Sequence, residues 1–305
     1  MRAVAKADRR RVPATRVRIF RESGIALLFI FPSLVGFLTF FAVPAVRGLY
    51  ISFTDWDLLT PSRPVGVANY AALLADPDFW NALKVTVFYV LWNIPIQTVL
   101  AVVVALVMNA ATKSTALKGV ALLPWLMPNV VVAMLWMWIL DPSVGLINVG
   151  VRALGGPLLP FLSSPGMALP TIAGINIWRY LGYTALLVFA GLQTIPIDVY
   201  EAARIDGAED QQTFWRITLP LLRPVLAFVV VTSVLGSFQI FDTVAVTTKG
   251  GPINSTKVFN FMIYQQAFER FQMGYATAVS MVLFLILVGV GLAQMKLLRA
   301  SEVES

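Results

Sequence analysis

The sequence contains no cysteine and no histidine, and only 13% of its 305 residues are charged. Without cysteine, neither a disulfide framework nor a thiolate metal site can form. Without histidine, the chain lacks the most common general base and the most common zinc ligand, so hydrolytic chemistry is not expected. We therefore expect no catalytic, metal-binding or cofactor-binding residue in this chain.

The low charge is accompanied by an excess of apolar residues, which make up 58% of the chain and give a mean hydropathy of +0.77. Soluble domains carry about 25% charged residues. One globular core would not bury this much apolar surface, so the composition predicts an all-α integral membrane protein.

Apolar runs predict six transmembrane helices. The first run, residues 25–46, is too long for the core of a signal peptide and spans about 33 Å at about 1.5 Å per residue. Prolines within the first three runs indicate irregular packing or, alternatively, hinges for an alternating-access cycle. The other five helices are expected at residues 85–112, 119–140, 168–193, 224–247 and 276–295.

Positive charge predicts the orientation. Eight of the 23 Lys and Arg residues lie between positions 2 and 21, a cytoplasmic flank that can also contact anionic lipid and does not indicate nucleic-acid binding. With six helices, the inside segments then hold fifteen Lys and Arg residues and the outside loops seven. We therefore expect both termini in the cytoplasm, with a basic tail at 1–24, a membrane domain at 25–299 and a short tail at 300–305.

A dense acidic loop, residues 194–223, separates the fourth and fifth runs and is expected in the cytoplasm. Gly207 suits a left-handed helix stop, so residues 198–206 and 208–218 are predicted to form two short helices joined by a turn. Pro220 is expected to end the second helix. One hypothesis is a solvated loop, and the other is a docking elbow for a partner.

The residues of this elbow resemble the EAA loop of ABC importer permeases. The matching pattern is Glu201-Ala202-Ala203, Asp206-Gly207-Ala208, Ile217 and Leu219-Pro220. In that family the loop inserts into a cytoplasmic ATPase, and the sequence itself has no phosphate-binding GxxxxGK[ST] loop. The resemblance therefore implies that ATP and Mg²⁺ are bound by partner subunits, and that the coupling residues here are Glu201, Ala202, Ala203, Asp206, Gly207 and Ala208.

Further motifs are similar to the carbohydrate-uptake branch, in particular to the first permease of maltose- and glycerol-phosphate-type systems. The branch works with a second permease, two ATPase subunits and an extracytoplasmic binding protein. The resemblance thus implies a multi-pass permease of the bacterial inner membrane that imports a sugar or sugar-like substrate. The motifs are residues 52–57, Asn69-Tyr70, residues 193–196, Phe241-Asp242 and residues 248–252.

Polar residues in the fourth and fifth runs are candidates for the substrate path, because lipid-facing positions should be apolar. Interhelical hydrogen bonding is the alternative. Polarity and the resemblance together assign Arg179, Tyr180, Tyr183, Ser233, Gly236, Ser237, Ile240 and Asp242 to the path. Since only Tyr183 and Ser233 match the family residue for residue, the substrate stays open among a sugar, an oligosaccharide, a polyol and a glycerol phosphate derivative.

Arg179 is expected near the membrane midplane, about 16 Å into its span. We predict that it lines the pathway and donates to hydroxyl or phosphate groups, and the alternative is an ion pair with Asp242. Asn93 and Gln97 in the second run are expected to pack between helices, and the alternative is that they line the path.

Two other classes of function compete with an ABC permease. A self-contained secondary transporter or channel would transport without ATP and would have no use for the elbow. An intramembrane enzyme would need reactive groups that this chain lacks. Co-purification of an ATPase would separate the first from a permease, and a membrane hydrolase assay would test the second.

Overall fold

The computed structural model describes residues 28–111 and 114–303, and the regular elements in these ranges are all helical. The basic tail expected at 1–24 lies outside the described residues, as do the last two residues. The chain divides into two units at Tyr50. The first unit contains all but the last residue of helix α1 (Leu28–Ile51), which has a π-helical turn at Leu38–Ala42 and is long and apolar enough to cross a membrane.

The second unit contains the other helices. Together with α1, four of its segments have the length and apolarity of a membrane span, and one bent helix pair raises the number among the described residues from five to six. The helices are α2 (Ala68–Ala75), α3 (Pro77–Ala111), α4 (Thr115–Leu126), α5 (Asn129–Ile139), α6 (Leu146–Ala153), α7 (Pro165–Leu192), α8 (Ile197–Ile205), α9 (residues 210–221), α10 (Arg223–Phe238), α11 (Asp242–Thr247), α12 (Phe259–Tyr264, continued by a π-helical turn at Gln265–Glu269) and α13 (Met273–Val303).

The third predicted span is wrong as a single helix. It is broken between α4 and α5, whose axes differ by 91°. Met127 is extended, with ψ of 141°, as the residue before a proline prefers to be, and Pro128 has no N–H with which to continue the helix. Of the two prolines in this span, Pro128 therefore lies at the break, whereas Pro124 lies within α4.

The fifth predicted span is also interrupted. Helix α10 ends at Phe238, and α11 begins at Asp242, so residues 239–241 form a short non-helical link. Phe241 has φ of −143° and ψ of −62°, which is outside helical geometry. All three residues of the link, Gln239, Ile240 and Phe241, line the cavity described below.

The core of the second unit lies along α3 and α7, with α10 packed against both. Tyr89, Ile172 and Phe259 are fully buried at its centre. A second apolar cluster, which includes Val188, Leu222 and Val229, continues it towards the acidic loop. The packing positions the polar faces of α7 and α10 opposite each other.

The sequence motifs around residues 52–57 and 248–252 stabilise the loops. Asn69 Nδ2 donates to the carbonyls of Ser52 and Thr54 at 2.9 and 2.8 Å. The buried Lys257 ammonium pairs with Asp78 at 2.8 Å and ties the segment before α12 to the start of α3. These motifs therefore shape the ends of the helices rather than the cavity.

Candidate functional site

A cavity of about 210 Å³ lies between the facing surfaces of α3, α7 and α10, next to the two helix breaks. It brings together seven of the eight residues assigned to the substrate path from sequence: Tyr180, Tyr183, Ser233, Gly236, Ser237, Ile240 and Asp242. The remaining wall residues are Gln97, Asn129, Asn176, Thr184, Leu187, Phe228, Val229, Thr232, Gln239, Phe241 and Thr243.

A buried hydrogen-bond chain supports one wall. Asn93 Nδ2 donates to Ser237 Oγ at 3.1 Å and to Gln97 Oε1 at 3.3 Å, and Gln97 Nε2 donates to Thr184 Oγ1 at 2.9 Å. This series of hydrogen bonds joins α3, α7 and α10 across the core. Buried polar groups that are bonded in this way specify one arrangement of the helices. The expectation that Asn93 and Gln97 pack between helices fits these bonds, although Gln97 also reaches the cavity.

The contact of α4 with α7 determines the position of Tyr183. Its ring stacks on Trp125 with centroids 4.6 Å apart and planes 10° apart. One residue earlier, a Cβ on Gly182 would lie 1.7 Å from the carbonyl oxygen of Ala121, so only glycine permits this approach. The cavity wall therefore depends on a close helix crossing that the sequence did not reveal.

Arg179 is the one assigned residue that does not line the cavity. Its Nη2 donates to the carbonyls of Trp125 and Met127, at 3.1 and 3.0 Å, where α4 ends. Its guanidinium carbon lies 4.8 Å from the centre of the Tyr180 ring. Arg179 thus satisfies carbonyls that the helix break leaves without an intrahelical donor.

The predicted alternative, an ion pair between Arg179 and Asp242, is absent from the structure. Asp242 Oδ2 instead accepts a hydrogen bond of 2.7 Å from Asn129 Nδ2. Asn129 begins α5 and Asp242 begins α11, so this bond joins the two breaks beside the cavity. Asn129 was missed from the sequence because its partner lies 113 positions away.

The acidic loop forms the predicted two-helix elbow, and its turn has a defined backbone geometry. Gly207 has φ of +76°, the left-handed conformation expected at this position. Its N–H bonds the carbonyl of Arg204 at 3.1 Å, and Ala208 N–H bonds that of Ala203 at 2.9 Å. These two bonds form a Schellman motif, which ends α8 and directs the chain into α9.

The second helix of the elbow differs from the prediction, because Pro220 does not end it. Residues Phe214–Thr218 form a π-helical turn, in which Leu219 N–H bonds the carbonyl of Phe214 five residues back. The helix continues through Leu221, with Pro220 at a position where no donor is needed. Phe214 packs into the apolar cluster around Leu222.

The elbow exposes most of the residues assigned to coupling. Glu201, Ala202, Asp206 and Gly207 are exposed, Ala208 is half-buried and Ala203 is buried. Sequence reasoning missed Ile205, which is 86% exposed at the end of α8. An isolated apolar residue in an acidic segment was the signal that could have identified it.

A helical membrane fold with a polar cavity between apolar helices and an exposed two-helix elbow indicates a transport permease. Residues 97–296 match the family described as binding-protein-dependent transport system inner membrane component, and the chain belongs to this family. It is therefore a multi-pass, non-enzymatic subunit of an inner-membrane importer, and the ATPase activity that drives import belongs to separate subunits.

Individual relatives cover nearly the whole chain. A probable ABC transporter permease of Bacillus subtilis, YesP, is 34% identical over 292 residues, which is 93% of each chain. The trehalose/maltose transport system permease MalF of Thermococcus litoralis is 31% identical over 282 residues, 92% of this chain and 95% of the relative.

One solved structure has the same fold over almost its full length. It belongs to a bacterial ABC transporter involved in the import of the acidic polysaccharide alginate. The likeness has a TM-score of 0.83 at 23% identity, and it covers 94% of this chain and 99% of that chain.

Proposed function

We propose that this chain forms, with a second permease, the translocation path for a sugar or sugar-like substrate. The observation that carries the proposal is the cavity wall, where amide, hydroxyl and aromatic side chains meet inside an otherwise apolar bundle. Sugar hydroxyls need hydrogen-bond partners, and aromatic rings offer flat apolar contact for the sugar ring. The trehalose/maltose relative supports the same substrate class.

Within this path, the substrate contacts Tyr180, Tyr183, Ser233, Gly236, Ser237, Ile240 and Asp242. Arg179 serves the path from behind the wall, since it holds the end of α4 and thereby the Trp125–Tyr183 stack. The role of Arg179 is therefore to position the cavity wall. This positioning role replaces the direct contact with substrate that was expected from the sequence.

The elbow transmits ATP hydrolysis to the path. Glu201, Ala202, Ala203, Asp206, Gly207 and Ala208 form or shape the surface that docks on the ATPase. We assign ATP and Mg²⁺ to the two ATPase subunits and substrate delivery to an extracytoplasmic binding protein. Support comes from the Schellman turn and from the exposed α8 surface.

The orientation follows from the same proposal. The bent pair α4–α5 counts as one of six spans, so that both termini and the elbow lie in the cytoplasm. The chain then consists of the basic tail 1–24, the permease domain 25–299 and a short tail 300–305, of which residues up to 303 extend α13.

The test is reconstitution of this chain with its second permease, ATPase and binding protein. We expect the ATPase to co-purify and uptake of the binding protein's ligand to require ATP. Ser233→Trp, which fills the cavity, should abolish uptake while the assembly stays intact, and Ser233→Ala serves as its control. Transport by the purified chain alone, without ATP, would instead establish a secondary transporter or channel.

A further inference from the structure

A groove of about 370 Å³ lies between α3 and α7, on the side of the bundle away from the elbow. Both helices are long and apolar enough to span a membrane, and the groove is lined by residues near the start of each. Helix α7 begins at Pro165 beside the groove and ends at Leu192, just before the elbow. The groove therefore lies at the membrane surface opposite the elbow.

The groove changes from polar to apolar along α3. Its polar end contains Asn81, Lys84 and Ser255, and Asn81 is bonded to the carbonyl of the residue before Ser255. Phe88 and Trp92 follow Lys84 at four-residue spacing on the same face of the helix, so Trp92 lies about 12 Å deeper at about 1.5 Å per residue. This order of groups matches the headgroup and the acyl chain of a phospholipid.

The apolar part of the groove is open to its surroundings. The ring of Phe88 is 47% exposed and that of Trp92 is 54% exposed. Leu169 and Pro170 of α7 line the same groove from the other helix. Inside a bilayer these surfaces are accessible to acyl chains, and a chain that lies between the two helices contacts both.

Lys84 supplies positive charge at the polar end. The side chain is exposed, and its Nζ lies 5.9 Å from the centre of the Phe88 ring. Within the part of the chain that the structure describes, no aspartate or glutamate lines the groove, and Asp78, six residues earlier, is already paired with Lys257. A lysine at the membrane surface that has no carboxylate partner attracts anionic lipid headgroups.

We propose that the groove between α3 and α7 binds one anionic phospholipid, with the phosphate at Lys84 and an acyl chain along Phe88 and Trp92. The lipid bridges the two helices that form the core of the second unit, and α7 also carries Tyr180 and Tyr183 of the cavity wall. The site is separate from the cavity, so the proposal holds for any substrate.

The direct test titrates the complete, delipidated assembly with phosphatidylglycerol and phosphatidylcholine of identical acyl chains, and native mass spectrometry measures the affinity of the tightest site. We expect phosphatidylglycerol to bind about fivefold more tightly. Lys84→Gln should abolish this preference, and Lys84→Arg should keep it. Lys249→Gln removes an exposed lysine that does not line the groove and should change nothing. Equal affinity for the two lipids, or an unchanged preference in Lys84→Gln, would overturn the proposal.

A second variant tests the apolar part of the groove. Gly166 lines the groove, and a Cβ at this position would meet no atom within 4 Å, so a larger side chain enters open space. Gly166→Leu should occupy the space of the acyl chain and weaken both lipids at least about fivefold, since each buried CH₂ contributes about 0.8 kcal/mol. Gly166→Ala is the matched control. Unchanged lipid binding in Gly166→Leu would place the lipid elsewhere.

The second permease is the competing occupant, and the same variants distinguish it from lipid. If the second permease fills the groove, neither Lys84→Gln nor Gly166→Leu will alter lipid affinity, and Gly166→Leu will reduce co-purification of the second permease. That result would overturn the proposal. The mass of the intact assembly, recorded in the same spectra, shows whether each variant is folded and complete.

Discussion

The elbow and the cavity are both polar regions in an apolar chain, but the hydrogen bonds that shape them join residues at very different separations along the chain. The elbow is shaped by bonds between residues a few positions apart, such as Ala208 N–H to the carbonyl of Ala203. The cavity wall is shaped by bonds across the bundle, such as Asn93 to Ser237, 144 positions away. Local geometry therefore fixes the shape of the elbow, whereas helix packing fixes the shape of the cavity.

The largest effect is expected where the local geometry of the elbow is broken. Gly207→Val forces a β-branched residue into the left-handed conformation, at a cost of order 1–3 kcal/mol, although its Cβ would have open space. Membrane insertion should be normal, and uptake and ATPase docking should be lost. Gly207→Asn, which tolerates this conformation, should retain uptake. Normal uptake by the valine variant would contradict a role for the turn.

The next effect tests whether the elbow docks through Ile205, the most exposed of its described large apolar residues. Burial of a side chain as large as Ile205 in a partner contributes about 1.5–3 kcal/mol, so Ile205→Glu should weaken ATPase retention about tenfold or more. The fraction of ATPase that co-purifies measures this, with Ile205→Val as the matched control. If both variants retain the ATPase equally, Ile205 lies outside the docked surface.

A third prediction concerns the long-range bonds beside the cavity. Arg179→Gln removes charged bonds to two carbonyls and should destabilise the bundle by about 1.5–3 kcal/mol, with Arg179→Lys partly restoring stability. Thermal unfolding of the purified assembly measures the loss. Adding Asp242→Asn should give no recovery, because Asp242 is bonded to Asn129 rather than to Arg179. Recovery in the double variant would instead reveal an ion pair.

The smallest effect is expected for Glu201→Ala. Glu201 is exposed, and an exposed ion pair contributes only about 0–1 kcal/mol, so uptake should fall by no more than about fivefold. Uptake kinetics beside those of Gly207→Val provide the measurement. A complete loss of uptake by Glu201→Ala at normal expression would show that this carboxylate contributes more than an exposed ion pair.

The sequence by itself determined the membrane class, the approximate spans and the elbow. Long apolar runs indicate membrane spans directly. A glycine that follows a helix pattern indicates where the helix ends in a left-handed turn, because that signal lies within a few residues. Residues on α7 and α10 that line the cavity were also singled out from the sequence, because polar side chains inside a span are costly unless they face a partner or a cavity.

Only the tertiary structure decided how these pieces meet. The 91° break between α4 and α5 places Trp125 against Tyr183, and the local proline pattern gives neither the angle of the bend nor the partner. Arg179 donates to backbone carbonyls, whereas the sequence suggested the substrate or Asp242 as its partner. Buried donors pair with the acceptors that the packed helices place nearby, and the sequence does not show which acceptors these are. Asp242 in turn was left to face the cavity, a consequence of contacts more than a hundred residues apart along the chain.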